Sequence, residues 1–420
     1  MDGSAARPSS ADDATDVSFV MPCLNEAQSL EPCIGMIHEA LAALAAKGFS
    51  GEIVVADNGS TDGSQALAMR LGARVVPVSE RGYGAALRGG FAAARGRYLV
   101  MGDADGSYDF REAVPMIEAL SAGADLCMGS RFKGAIKSGA MPWKNRYIGN
   151  PILTGILNLL YGARISDAHC GLRALTRECF ERLGLTGAGM EFASEMVIKA
   201  ALKGERITEA PATLSPDLRD RPPHLRPWRD GWRHLRYLFM LSPFWLFAVP
   251  AFAGFGAGSM ILSVASWYAV FDPHARTMFG DYWVVLAAAM VAVSHNAGLF
   301  GFASYVLGVR NGYRKIPPWM ARMARGVTLE TMIVAGVVLG LAGITVLVGI
   351  LFSWTARGFG PAPLVLPAVL GTLMTTLGAQ NILGGFMLSI VGGNEARFLG
   401  VSGAAALPAA APDGGHAQAG

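Results

Sequence analysis

Four long apolar stretches, at about residues 244–269, 283–309, 332–354 and 363–391, fill most of the chain after Phe239. An α-helix rises 1.5 Å per residue, so ~20 residues cross a hydrocarbon core of ~30 Å. The C-terminal part is therefore predicted to form about four transmembrane helices, and whatever precedes it must be a domain anchored to a bilayer. Charge supports that division. Only 16% of the 420 residues are charged, against about 25% in ordinary soluble proteins, and most of the charge lies before Arg236. The connection between the second and third stretches holds Arg310, Arg314, Lys315, Arg322 and Arg325, whereas the other two show only Arg276 and Arg357. Positive-inside reasoning places the N-terminal domain, the middle connection and the C-terminus in the cytoplasm, at the inner membrane if the source is bacterial. His295, Asn296, Gln380 and Asn381 lie inside the stretches and suit interhelical hydrogen bonds, with a lipid or transport pathway as the sharper alternative.

The ends of the chain differ from both parts. Residues 1–16 carry four acids and no apolar core, which fits a disordered lead-in rather than a signal peptide. Residues 396–420 are rich in Ala, Gly and Pro and read as a disordered tail. The five cysteines are scattered and show no Cys-x-x-Cys pair, so buried thiols are expected rather than a zinc site or a disulfide framework.

Between these ends, residues 17–224 alternate short apolar runs with helical patterns. Val17–Met21 reads as a strand ended by Pro22. Glu52–Ala56, Ala73–Val78 and Arg97–Met101 read as further strands, separated by helices running to about Lys47, Leu71 and Arg95. Ala124–Met128 and Ile207–Thr213 supply later strands. This alternation indicates an α/β domain with a mostly parallel sheet, in which ligands sit beyond the carboxyl ends of the strands. Three polar clusters occupy that edge: Pro22, Asn25 and Glu26; Asp57 to Asp62; and Asp103 with Asp105. Each alone is ordinary turn chemistry, and an Asp-Gly turn capping a helix near Phe110 is one reading of the last. The other is a site for Mg²⁺ or Mn²⁺, since two carboxylates at i and i+2 supply oxygen ligands that a hard cation completes with phosphate oxygens. Recurrence at three strand ends favours one shared site.

Val20-Met21-Pro22-Cys23-Leu24-Asn25-Glu26, Val54 to Gly63 and Asp103-Ala104-Asp105 resemble family-2 glycosyltransferases of the GT-A fold, a Rossmann-like, mostly parallel sheet. Gly129-Ser130-Arg131 and Asp167-Ala168-His169-Cys170-Gly171-Leu172-Arg173 resemble, more narrowly, the polyprenyl-phosphate (dolichyl-phosphate) glycosyltransferases. The resemblance spans about residues 17–245, with five motifs in order. Two departures are visible: Asn58 stands where an acidic pair is usual, and Cys170 replaces a more usual Ser. The resemblance implies that Asp57 faces the nucleoside, that Asp105 holds the metal on the diphosphate, and that Asp103 lies near the ribose or the metal. It implies a nucleotide-sugar site drawn from Pro22, Asn25, Glu26, Asp57, Asn58, Gly59, Ser60, Gly84, Arg131 and Glu195. Asp103, Asp105 and Asp167 become the catalytic candidates, with Asp167 beside the acceptor; a helix-capping Asp is the alternative there. For Gly84 and the glycines up to Gly90, tight helix–strand packing is the competing reading, and the spacing is not a dinucleotide fingerprint. Glu191 and Glu195 share a helix face that lines the sugar pocket or is simply solvated.

A lipid-phosphate acceptor would need no strong base, because a phosphate monoester has a second pKa of about 6 and is already an anion at neutral pH. It would need cations, for which Lys144, Arg146, Arg173, Arg219 and Arg221 are the candidates. Lys144 and Arg146 precede the apolar positions Ile152, Leu153, Ile156, Leu157, Leu159 and Leu160, a pattern for a helix lying on a bilayer, or for a core helix. At the junction, residues 225–243, Trp228, Trp232, Leu235 and Phe239 recur beside Arg226, Arg229, Arg233 and Arg236. Aromatics beside arginines, directly ahead of an apolar run, describe an interfacial helix on anionic headgroups and not a nucleic-acid surface.

The function these observations point to is inverting transfer of one sugar from a nucleotide sugar, UDP-glucose or GDP-mannose, to membrane polyprenyl phosphate. A processive polysaccharide synthase is the nearest alternative, but residues 226–232 lack the Gln-x-x-Arg-Trp motif of such enzymes. A lipid-carrier translocator with a regulatory soluble domain is a second, disfavoured by the few ionisable groups inside the apolar stretches. The oligomeric state is open.

Overall fold

The computed structural model describes residues 15–219, 227–272, 278–312, 314, 316–324, 326–360 and 365–399. Residues 1–14 and 400–420, with Arg221, Arg226, Arg276, Lys315 and Arg325, lie outside the described residues, and so do the expectations placed on them. The chain divides into two compact units, Met1–Ser242 and Pro243–Gly420.

The first unit opens with β1 (Val17–Cys23), α1 (Leu30–Ala45), β2 (Gly51–Asp57), α2 (Ser64–Arg70), β3 (Arg74–Pro77), α3 (Tyr83–Ala93) and β4 (Tyr98–Met101). It continues through α4 (Val114–Ser121), β5 (Leu126–Ile136), α5 (Asn150–Tyr161), β6 (Arg173–Thr176), α6 (Arg177–Leu183), α7 (Glu191–Lys203), β7 (Ile207–Leu214) and α8 (Pro227–Met240). The strands form one sheet in the order β3-β2-β1-β4-β6-β5-β7. β1 to β4 are parallel, β6 runs antiparallel to both β4 and β5, and β7 is parallel to β5. Both faces are covered, which is why the strands read as continuous apolar runs. Phe19, Met21, Val55 and Val100 pack on one side with residues of α1 and α4. Val20, Val54, Leu99 and Met101 pack on the other with residues of α3, α5 and α7.

Two details differ from the sequence reading. Pro22 does not end β1, which continues to Cys23. β4 stops at Met101 opposite Val20, so Pro22 lies where β1 is paired only with β2 and a missing N–H is tolerated. The glycines of α3 settle as close packing. A Cβ on Gly90 would sit 2.4 Å from Val20 Cγ1, so only glycine lets α3 approach the sheet this closely.

The sheet order reverses at β1. The chain runs outward through β2 and β3, then returns to lay β4 on the opposite side of β1. The carboxyl ends of β1 and β4 are thus adjacent at the topological switch point, the place where open α/β sheets bind ligands.

The second unit holds α9 (Val249–Phe271), entered through a π turn at Phe244–Ala248, α10 (Asp281–Arg310), a short α11 (Pro318–Ala324), α12 (Leu329–Ala356) and α13 (Val365–Gly392). Phe244–Phe271, α10, α12 and α13 are each long and apolar enough to cross a membrane, which makes this an integral membrane protein. α12 and α13 approach through glycines: a Cβ on Gly336 would lie 2.6 Å from the Gly378 carbonyl oxygen, and one on Gly343 2.6 Å from that of Gly371. His295 Nδ1 and Gln380 Oε1 lie 3.0 Å apart, a hydrogen bond between α10 and α13 of the kind the sequence suggested. Phe398, which the sequence reading left in the disordered tail, is buried with Val306 and Leu388.

Candidate active site

The turn after β4 presents Asp103 and Asp105. Asp103 Oδ1 accepts from the Tyr83 hydroxyl at 2.9 Å. Burial, then the charge of Asp105, pushes the Asp103 carboxyl up to about 7. Asp105 Oδ1 accepts from the Ser107 backbone N–H at 3.0 Å, across a turn made by Gly106 at φ +77°. Its Oδ2 accepts from Arg219 Nη2 at 2.9 Å. The same guanidinium reaches Glu26 Oε1 at 3.2 Å and Asp217 through Nε at 2.7 Å. The helical turn after this loop is capped by Asp109, which accepts from the Arg111 N–H. Asp105 is therefore not the helix cap, although its bond to Ser107 makes it a turn residue as well as a partner of Arg219.

Glu26 follows β1 and Asp105 follows β4, so the two carboxylates meet across the switch point on one partly buried cation, Arg219. The donor set is all oxygen, as hard divalent cations require. Among the described residues no three His, Cys, Asp or Glu side chains form a ready-made metal cage. A Mg²⁺-type ion fits this arrangement, because it keeps several positions for phosphate oxygens and water. In this structure the guanidinium of Arg219 takes up the carboxylate oxygens of Glu26 and Asp105 that such an ion would share.

The turn after β2 is built by its own polar side chains. Asp57, 2% exposed, accepts from the backbone N–H groups of Gly59 and Ser60 at 3.0 and 3.2 Å and from Gln65 Nε2 at 2.7 Å. Asn58 Nδ2 donates to the carbonyls of Val78 and Glu80 at 3.0 and 2.6 Å, and its Oδ1 accepts from the Gly82 N–H at 2.8 Å. A carboxylate there would face two carbonyl oxygens, which accounts for Asn at this position. Asn25 adopts φ +59°, a conformation Asn tolerates. Its N–H donates to Ser60 Oγ at 2.9 Å and its Oδ1 accepts from the Thr61 N–H at 2.8 Å. Asn25, Asp57, Asn58, Gly59 and Ser60 thus form one connected turn, with Pro22 beside it at the end of β1 and Glu26 next to Asn25.

Four expected ligand residues are engaged in interior hydrogen bonds or close packing. Arg173 is fully buried, donating to the carbonyls of Cys170 at 2.8 Å, Ala168 at 2.9 Å and Ala193 at 2.5 Å, so it staples the turn before β6 to α7 and has no face for a lipid phosphate. Glu195 is also fully buried; it accepts from the N–H groups of Thr186 and Gly187 at 3.0 and 2.7 Å and pairs with Lys199, so it does not line a sugar pocket. Gly84 is a packing glycine, where a Cβ would lie 2.4 Å from the Gly187 carbonyl. Arg131 is held entirely by Asp167, through Nε to Oδ2 at 2.6 Å and Nη2 to Oδ1 at 2.7 Å, both side chains being buried. Burial alone would raise the Asp167 carboxyl, but the hydrogen bonds and charge of Arg131 hold it below the usual range. Asp167 and Arg131 thus balance each other's charge in the interior.

Lys144 and Arg146 remain on the surface, stacked over Trp143 and Tyr147. With Ile152 and Leu159, these two rings form an exposed apolar strip, while Thr154 and Leu157 of α5 face the core. Sequence reasoning missed Tyr83 and Asp217, which hold Asp103 and Arg219 in place. An aromatic between two glycines of a site turn was the available signal for Tyr83.

Residues 18–184 match Glycosyl transferase family 2, and residues 302–392 match the Glycosyltransferase family 2 C-terminal transmembrane region. The chain is 35% identical to the low-salt glycan biosynthesis hexosyltransferase Agl6 of Haloferax volcanii, over 91% of this chain and 90% of that protein. It is 32% identical to polyprenol monophosphomannose synthase of Mycolicibacterium smegmatis, over 47% of this chain and 76% of that protein. Among solved structures, glucosyl-3-phosphoglycerate synthase of Mycobacterium tuberculosis, crystallised with Mn²⁺, UDP and phosphoglyceric acid, is 22% identical with a TM-score of 0.40, over 54% of this chain and 76% of that one. With a switch-point acidic site in a mostly parallel sheet and an apolar helical C-terminal unit, the chain belongs to glycosyltransferase family 2, as a GT-A enzyme with a transmembrane region.

Proposed function

We propose that the protein transfers a single hexose, with inversion, from a nucleoside-diphosphate sugar to polyprenyl phosphate at the cytoplasmic face of the membrane. The observation that carries this reading is the convergence of Glu26 and Asp105 on one cation at the switch point, with Asp103 behind them. The names of the two relatives support a hexose donor and a polyprenyl carrier. UDP-glucose is the donor we favour over GDP-mannose, on the motif resemblance.

In this reading Asp105, with Asp103, holds Mg²⁺ or Mn²⁺, which when bound neutralises charge on the departing diphosphate. The rim of Asn25, Asp57, Asn58 and Ser60 fixes the walls of the nucleotide site. The acceptor phosphate attacks as an anion, so no side chain need remove its proton. Asp167 is a positioning residue, acting through Arg131. Lys144 and Arg146 meet lipid headgroups while Trp143, Tyr147 and Ile152 rest on the bilayer. The basic residues between α10 and α12 support cytoplasmic placement of the catalytic unit.

The test is to incubate membranes containing the protein with radiolabelled UDP- and GDP-sugars and polyprenyl phosphate, then extract the lipid. Label entering the lipid fraction as one sugar supports the proposal. Label that stays water-soluble with every donor overturns it, and label in a polymer identifies a polysaccharide synthase.

A further inference from the structure

Between the turn at Gly82 and the helix α8 lies a cleft of about 450 Å³. That is within the usual size range of small-molecule sites. One wall is Arg81 and the loop Thr186–Gly189; the other is Arg236, Tyr237 and Met240 of α8. Glu195 ties the two walls together, accepting from Thr186 and Gly187 on one side and from the Tyr237 hydroxyl on the other. The cleft is therefore a built feature and not a loose gap.

Its chemistry is that of an anion site with an apolar lip. Arg81 and Arg236 both line it and are exposed, Arg81 keeping Nη2 for a ligand while its Nη1 donates to the Asn58 carbonyl. The one carboxylate in the lining, Glu191, folds back to accept from the Gly189 N–H at 2.9 Å. Met240, 65% exposed, ends α8, four residues before Phe244 opens the first membrane span. Tyr83, the neighbour of Gly82, carries its hydroxyl to Asp103, so the cleft is one residue from the acidic site.

We infer that this cleft receives the head of the lipid acceptor, a prenyl phosphate monoester, with Arg81 and Arg236 on its phosphate oxygens and Met240 against its first isoprene units. The assignment rests on the proposed function and adds to it two cations that sequence reasoning had not placed among the phosphate ligands. Guanidinium groups suit the task because their N–H forks match phosphate oxygens.

The test uses the full-length enzyme in lipid nanodiscs, comparing wild type with Arg236→Gln and Arg236→Lys. Arg236 is exposed, so neither change should disturb folding. The expected result is a KM for polyprenyl phosphate raised ~10-fold or more by Gln, as loss of a charge-assisted contact implies, with most of the effect reversed by Lys and the KM for the nucleotide sugar unchanged. Farnesyl phosphate should compete with the acceptor and lose potency in Arg236→Gln, while inorganic phosphate at the same concentration should not compete. An unchanged acceptor KM, or a raised nucleotide-sugar KM instead, overturns the inference while leaving the proposed function standing. Competition by inorganic phosphate that Arg236→Gln abolishes makes this a free-anion site and overturns the lipid assignment. If wild type glycosylates no prenyl phosphate at all, the proposed function fails and the inference with it.

Discussion

Arg131 and Asp167 form a two-pronged ion pair, with hydrogen bonds of 2.6 and 2.7 Å and both side chains buried. Removing one partner of such a pair strands the other charge, at a cost of ~3–5 kcal/mol. Asp167→Asn is therefore expected to lower stability by about 3 kcal/mol and to lose transfer in step with the fold. Thermal unfolding of the detergent-solubilised protein checks this. A variant that keeps its unfolding midpoint while transfer disappears would show that the carboxylate acts on substrate directly.

Arg173 gives the parallel case on the backbone. Its guanidinium serves carbonyls of residues 168, 170 and 193. Arg173→Met would leave buried acceptors unpaired, at ~1–3 kcal/mol each. The expected outcome is a lowered unfolding midpoint with an unchanged KM for lipid phosphate in the folded fraction. A raised acceptor KM at normal stability would restore Arg173 to the phosphate site.

The acidic strand ends, the parallel sheet and the four spans were legible because each is written in local order: an apolar run followed by a turn, or ~20 apolar residues without a break. The partners of the polar residues were not. Arg173 lies between Leu172 and Ala174, both fully buried, and that neighbourhood was the signal that it too is interior. The four residues of β6 are too short to show a period, so a strand was read only as a motif. Asp167 looks like a site acid in sequence, and only its meeting with Arg131, 36 positions away, reveals its engagement. Asp105 and Glu26 needed the crossover of β4 to the far side of β1 before they could be seen as neighbours.

His169 should give a pH dependence. Its ring lies 5.3 Å from that of His234, and its Nδ1 is buried without a hydrogen-bond partner. Burial, followed by the proximity of His234 and Arg131, lowers its pKa to about 3. The ordinary value is about 6.5, so between these limits the unfolded chain binds the extra proton. Stability is full above pH ~6.5 and falls as pH drops toward 3, by up to about 1.4 kcal/mol per pH unit. Unfolding midpoints between pH 7.5 and 5 should decline more steeply in wild type than in His169→Phe. Equal slopes would place the titration elsewhere.

The most direct measurement is sugar transfer to polyprenyl phosphate by Asp105→Asn in membranes, followed across a Mg²⁺ or Mn²⁺ titration. Loss of a carboxylate that holds the cation beside a leaving diphosphate is expected to cost ~100-fold or more in rate, with membrane insertion retained although the ion pair with Arg219 is lost. Transfer at the wild-type rate and with the wild-type metal dependence would contradict the account.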